Sequence, residues 1–177
     1  MADKRTAILR MLHEEDHDLT AAVETVPGDR GGRTRLGISE LAPVPVDPDF
    51  WTMPADEAIE YAITWYGDNF WDRLRLDSMP TQQAADEILS FAVNQGLEFT
   101  MSLEQNAIND CTEDHIAVDG NVGPATEKAA DAVDQTRLAI AVLVRASFRY
   151  GEICGRNPAD AKFGLGWIRR AEDAART

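Results

Sequence analysis

From about residue 54 onward the apolar residues of this chain recur at three- and four-residue intervals. One stretch near the start breaks that rhythm, with Pro27, Gly28, Gly31, Gly32 and Gly37 falling inside residues 18–39. Such a pattern leaves little choice of architecture. Stripes at helical spacing must be buried against one another. A dense run of breakers after a single opening helix allows one small turn or hairpin there and little sheet elsewhere. The expected fold class is therefore mainly α, with a small β-hairpin or irregular element after the first helix.

The opening helix is expected over residues 4–17, with Ile8, Leu9, Met11 and Leu12 as its apolar side. Residues 34–39 form the best strand. Residues 42–50 hold three prolines and read as a linker without regular structure. A second helix follows Pro54, with Ala58, Ile59, Ala62, Ile63 and Tyr66 on one face. Residues 68–76 read as a short aromatic connection. A third helix opens after Ser78-Met79-Pro80, buries Ala84, Ala85, Ile88, Leu89 and Ala92, and closes at Gly96. A fourth covers residues 97–109, then a polar loop covers 110–123 and a short helix 125–133. Residues 135–150 are apolar nearly all round from Leu138 to Val144, which reads as the buried central helix. Asn157-Pro158-Ala159-Asp160 is a good helix start for a last helix reaching about residue 174. The expected division is an N-terminal lobe, residues 1–96, and a helical lobe, 97–177, packed into one globule.

The chain has 177 residues and a formal charge of −14. That charge argues against nucleic acid or an anionic membrane as partner, since both reward clustered Lys and Arg. No apolar run reaches the roughly 20 residues of a membrane span, and charges interrupt the N-terminal residues before any secretory h-region forms. The protein is expected to be made in the cytoplasm without a signal peptide, and to act as a monomer. Cys111 and Cys154 are too few and too far apart for a metal knuckle and read as buried free thiols.

Two stretches carry chemistry. His13-Glu14-Glu15-Asp16-His17 matches H-E-x-x-H, which on a helix would place two imidazoles on one face for Zn²⁺ with Glu14 as general base. A third ligand is missing nearby, since His115 is the other histidine, and Asp16, Asp18 and Thr20 are poor helix formers. The bland reading is two exposed histidines at a charged helix end, with no metal. The second stretch is Asp29-Arg30-Gly31-Gly32-Arg33-Thr34-Arg35-Leu36-Gly37-Ile38. Its glycines permit a tight turn, and Asp29 and Thr34 put a carboxylate and a hydroxyl on it. The bland reading is Asp29 capping its own backbone. Together the stretches place an acid at a helix end beside a polar turn, which suits protonation of a glycosidic oxygen.

An acid after an apolar helix, followed by D-x-G-G-x-T-x-x-G-I, resembles glycoside hydrolase family 108, the N-acetylmuramidases of phage endolysins and bacterial secretion loci. FWDRLRLDSMP, ILSFAVNQG, LEQNAIN, DGNVGPAT and GWIRR follow in the order that family shows. The last two resemble its predicted peptidoglycan-binding half. The likeness spans about residues 5–171. It departs where the family's Glu-Gly-Gly-Tyr is Glu14-Glu15-Asp16-His17. About six extra residues precede Asp29, and Arg30 stands for a proline.

The resemblance implies a lysozyme-like fold and hydrolysis of the β-1,4 bond between N-acetylmuramic acid and N-acetylglucosamine. Glu14 would be the general acid, chosen over Glu15 because His13-Glu14 fits the family's frequent His-Glu pair. Asp29 would be stabiliser or base, Glu24 a weaker alternative base, and Thr34 would orient water. Asn94 would bond an N-acetyl group, with Arg33 and Tyr66 as further substrate contacts. Arg30, Arg33 and Arg35 would make the hairpin locally basic. Trp167 is expected to pack in the core and Arg170 to make a structural ion pair. No cofactor is expected. The partners are peptidoglycan glycan strands and, from the endolysin likeness, a holin that releases the protein to the wall. A zinc peptidase built on His13, Glu14 and His17, and a non-catalytic wall-binding or secretion accessory protein, are the competing readings.

Overall fold

The computed structural model describes residues 2–25, 32–79 and 81–156. The opening helix, α1 (Lys4–Glu15), starts where Asp3 accepts the Thr6 N–H at 2.7 Å, and buries Ala7, Ile8, Met11 and Leu12. It stops at Glu15, two residues short of the expected end. Asp16 turns extended, and its carboxylate takes the Ala21 N–H at 2.7 Å and the Thr20 hydroxyl at 3.0 Å. An aspartate that satisfies the next loop's donors competes with helix continuation.

The element after α1 is a three-stranded antiparallel sheet in the order β1 (Val23–Thr25), β2 (Arg33–Arg35), β3 (Ile38–Ser39). The single strand expected over residues 34–39 is instead two short strands joined by a turn, and β1 adds a third. The two-residue turn between β2 and β3 has Leu36 at φ 49° and Gly37 at φ 75°. Positive φ at both positions matches the right-handed twist of the strands it joins. Leu36 accepts that costly conformation because its side chain is buried.

The proline-rich stretch is less irregular than its composition suggests. Pro48–Trp51 form a 3-10 turn whose Phe50 and Trp51 are buried. Next comes α2 (Ala55–Tyr66), which runs on into a π turn, Gly67–Trp71, where a connection was expected; Trp71 is fully buried there. Then follow α3 (Gln82–Gln95), capped by Thr81, α4 (Leu97–Cys111), α5 (Pro124–Ala132) and α6 (Gln135–Arg156).

The central helix is α3, not α6. It packs against α1, α4 and α6 and buries eight of its residues, Asp86 and Glu87 among them. By contrast α6 buries Leu138, Ala139, Val142, Ala146 and Tyr150 but leaves Ile140, Val144 and Phe148 at 54%, 47% and 73% exposure. Its apolar run supplies one buried face and one open stripe. Cys111 and Cys154 are free thiols, half-buried rather than buried. The last expected helix, with Trp167 and Arg170, lies outside the described residues, as does Asp29.

The polar loop before α5 is held by one side chain. Gln105, almost wholly buried, accepts the N–H groups of Asp119 and Gly120 at 3.0 and 2.9 Å and donates to the Asp119 carboxylate at 2.8 Å. One turn on, Asn109 clasps Ile116 in both directions, at 2.9 and 3.0 Å. These contacts give the L-E-Q-N-A-I-N and D-G-N-V-G runs a structural role.

Candidate active site

Three elements meet at the C-terminal end of α1: the last turn of that helix, the β2–β3 turn, and the C-terminal half of α3. Glu14 points toward α3, where its Oε2 accepts from Ser90 Oγ at 3.2 Å. Arg10, one turn earlier on the same face, pairs with Asp86 of α3 at 3.0 Å, so this side of α1 is docked by polar contacts. Asn94 follows Ser90 by one turn. Its Nδ2 donates to the Ser90 carbonyl at 2.8 Å, which leaves its side-chain oxygen as the group able to accept an amide N–H from a ligand.

Glu15 takes a different direction. A Cβ on Gly37 would lie 3.1 Å from Glu15 Cγ and 2.8 Å from Tyr66 Oη. The turn thus needs glycine twice over, for its φ and for the close approach of these two side chains. Tyr66 Oη donates to the Leu36 carbonyl at 3.1 Å. Burial, and after it the negative charge of Glu15, push the phenol well above its usual range. Tyr66 is 1% exposed, so the expected sugar contact is corrected: this side chain holds the hairpin turn onto the helical body.

The strand register sorts the hairpin residues. Glu24 and Ser39 both lie directly opposite Thr34, and directly opposed residues share a face of a sheet. One row therefore carries a carboxylate and two hydroxyls. Val23, Arg35 and Ile38 make the next row. Arg35 is 5% exposed and donates to the carbonyls of Ala21, Phe50 and Met53. The expected basic hairpin is corrected accordingly, since the guanidinium of Arg35 ties the sheet to the 3-10 turn and is not offered to substrate. Arg33 keeps 41% of its side chain exposed, with its guanidinium 4.4 Å from the centre of the Trp51 ring and Nε 3.5 Å from Glu40. Glu40, which the sequence reading passed over, also accepts the Arg33 N–H at 3.1 Å and lies against Gly32. An acid seven residues after the turn's Arg is no sequence signal by itself.

The H-E-x-x-H match does not become a helical pair. His17 lies beyond the end of α1, its side chain 95% exposed, and His13 Nδ1 is 3.1 Å from the His17 carbonyl. Among the described residues no group of three His, Cys, Asp or Glu side chains is arranged to hold a metal ion.

A carboxyl-bearing helix end with a small antiparallel sheet laid against it, in an otherwise helical body, is the plan of a lysozyme-like hydrolase. Residues 21–96 match the family model described as Glycosyl hydrolase 108, and residues 100–172 match the one described as Predicted Peptidoglycan domain. Together the two matches cover most of the chain and support a lysozyme-type glycoside hydrolase that degrades peptidoglycan as an N-acetylmuramidase. Among solved structures it is similar to one titled "Structure of Brucella abortus SagA", at 20% identity and a TM-score of 0.70, over 97% of this chain and 92% of that one. At that identity the likeness shows the shared fold. No curated protein matches the chain in sequence. The family match begins after α1, so the choice of acid rests on the geometry at the end of that helix.

Proposed function

We propose that Glu14 is the general acid of this muramidase. The observation that carries the reading is its place: the last turn of α1, with Oε2 3.2 Å from Ser90 on α3 and Asn94 one turn further along. A sugar lying between the hairpin and α3 would displace water from the carboxyl, favour its protonated form, and set it to protonate the leaving oxygen. A second group must stabilise the oxocarbenium-like transition state or direct water to it. Asp29 is assigned that role from the family pattern. Thr34, in its row with Glu24 and Ser39, is assigned to orient the water. Arg33 and Asn94 are the proposed substrate contacts.

A second reading makes Glu15 the acid, favoured by its packing against the Gly37 turn. Mass spectrometry of muropeptides released by wild type, Glu14→Gln and Glu15→Gln decides. New reducing ends at muramic acid, lost in Glu14→Gln and retained in Glu15→Gln, support the assignment. The opposite pattern transfers the role to Glu15.

The proposal extends to biology. The chain would act as a monomeric phage endolysin, released through a holin to the wall. The resemblance of the ordered motifs to those of phage endolysins supports this.

A further inference from the structure

We propose that the groove between α4 and α6 is a second binding site, which takes an N-acetylated sugar bearing a carboxylate, as in a muramyl-peptide unit of the wall. This rests on the chain being a wall hydrolase but not on which glutamate is its acid. The groove encloses about 330 Å³, at the small end of the range for ligand sites, with Phe99 and Asn106 on one wall and Arg145, Phe148 and Arg149 on the other.

Its chemistry fits that ligand in three places. Phe148 is 73% exposed and Phe99 39%. Such open aromatic surface gains from being covered by the C–H face of a sugar ring. Arg149 stacks over the Phe99 ring at 4.5 Å and reaches Glu152 with Nη1 at 3.2 Å, and its side chain keeps 25% exposure, through which the guanidinium can meet a ligand. A carboxylate is the group that satisfies a guanidinium N–H best. Asn106 Nδ2 is spent on the Ser102 carbonyl at 2.7 Å, so its side-chain oxygen is left to accept an acetamido N–H.

Charge points the same way. In a chain of net charge −14, most of the surface repels an acidic wall polymer. Here Arg145 and Arg149 stand one turn apart, and Asp110 and Glu152 balance them without making the groove acidic. All the named lining residues except Phe99 fall inside the peptidoglycan-domain match. The site is distinct from the end of α1, so a glycan strand could be gripped here while another part of it is cut.

The test measures co-sedimentation with purified sacculi for the full chain, in a Glu14→Gln background that keeps the wall intact. Titration with a soluble disaccharide-tetrapeptide muropeptide, and with a neutral N-acetylglucosamine tetramer as control, runs alongside. Phe148→Ala and Arg149→Gln should each weaken binding of sacculi and muropeptide on the order of tenfold. Phe148→Tyr should keep it, and Arg149→Gln should leave the neutral tetramer unaffected. Phe148 is too exposed for its loss to disturb the core, so that arm stands even if Arg149→Gln folds poorly. Wall binding by Phe148→Ala equal to the parent's overturns the proposal. So does a switch in oligomeric state with no change in wall binding, which would make the groove a self-association surface. Full lysis by the Glu14→Gln chain would count against the assigned acid and leave the groove's occupancy standing.

Discussion

Glu104 offers a measurable consequence of how the helical body is packed. It sits on α4 with no solvent exposure, and neither carboxyl oxygen has a hydrogen-bond partner. Burial, followed by the charge of Glu127, pushes its pKa from 4.5 to about 8. At neutral pH the native chain holds this group protonated while the unfolded chain ionises it, so the native state binds the extra proton. Stability must therefore fall as pH rises from about 4.5, and level off above about 8. At pH 7 the gap of about 2.5 units from the unfolded value costs about 3 kcal/mol, at about 1.36 kcal/mol per unit. Glu104→Gln keeps the shape and cannot ionise. It should stabilise the protein by about 3 kcal/mol at pH 7, roughly 6–12 °C in Tm for a chain this size, but by under about 1 kcal/mol at pH 5. Urea melts followed by circular dichroism at both pH values measure the difference. If the gain in the variant is the same at pH 5 and pH 7, the buried carboxyl is not what couples stability to protons, and the reasoning fails.

Other outcomes follow from single contacts. Glu14→Gln should lower muropeptide release about 10²–10⁴-fold with little change in melting temperature, read by turbidity clearing and mass spectrometry. Tyr66→Phe removes the hydroxyl that holds Leu36; it should cost about 1 kcal/mol and lower kcat more than it raises KM, since the turn beside the acid loosens while the substrate contacts remain. Gln105→Leu strands the Asp119 and Gly120 N–H groups and should destabilise by about 2–4 kcal/mol, visible in thermal melts. Glu87, its carboxyl buried and raised to about 8 first by burial against the opposing pull of Arg10, should show the same sign as Glu104: Glu87→Gln gains stability toward alkaline pH and not below pH 5.

Much of this protein was written in local pattern. The spacing of Ile8, Met11 and Leu12, of Ala58, Ala62 and Ile63, and of Ala84, Ile88 and Leu89 sets each helix and its inward face, because a 3.6-residue period leaves one side to bury. Glycine density after α1 marked the small sheet, and the ordered motifs marked the family. What local pattern could not supply were choices made between elements. Leu138 to Val144 looks uniformly apolar in one dimension, yet only the neighbours α3 and α4 decide that Leu138 and Val142 are covered while Ile140 and Val144 stay open. Arg33 and Arg35 are near twins in sequence and share a strand face, but the Ala21, Phe50 and Met53 carbonyls drew Arg35 inside. Tyr66 looked like a sugar platform until the β2–β3 turn arrived over its hydroxyl. Burial and polar pairing depend on groups distant in the chain, and those meet only when the helices and the sheet close on one another.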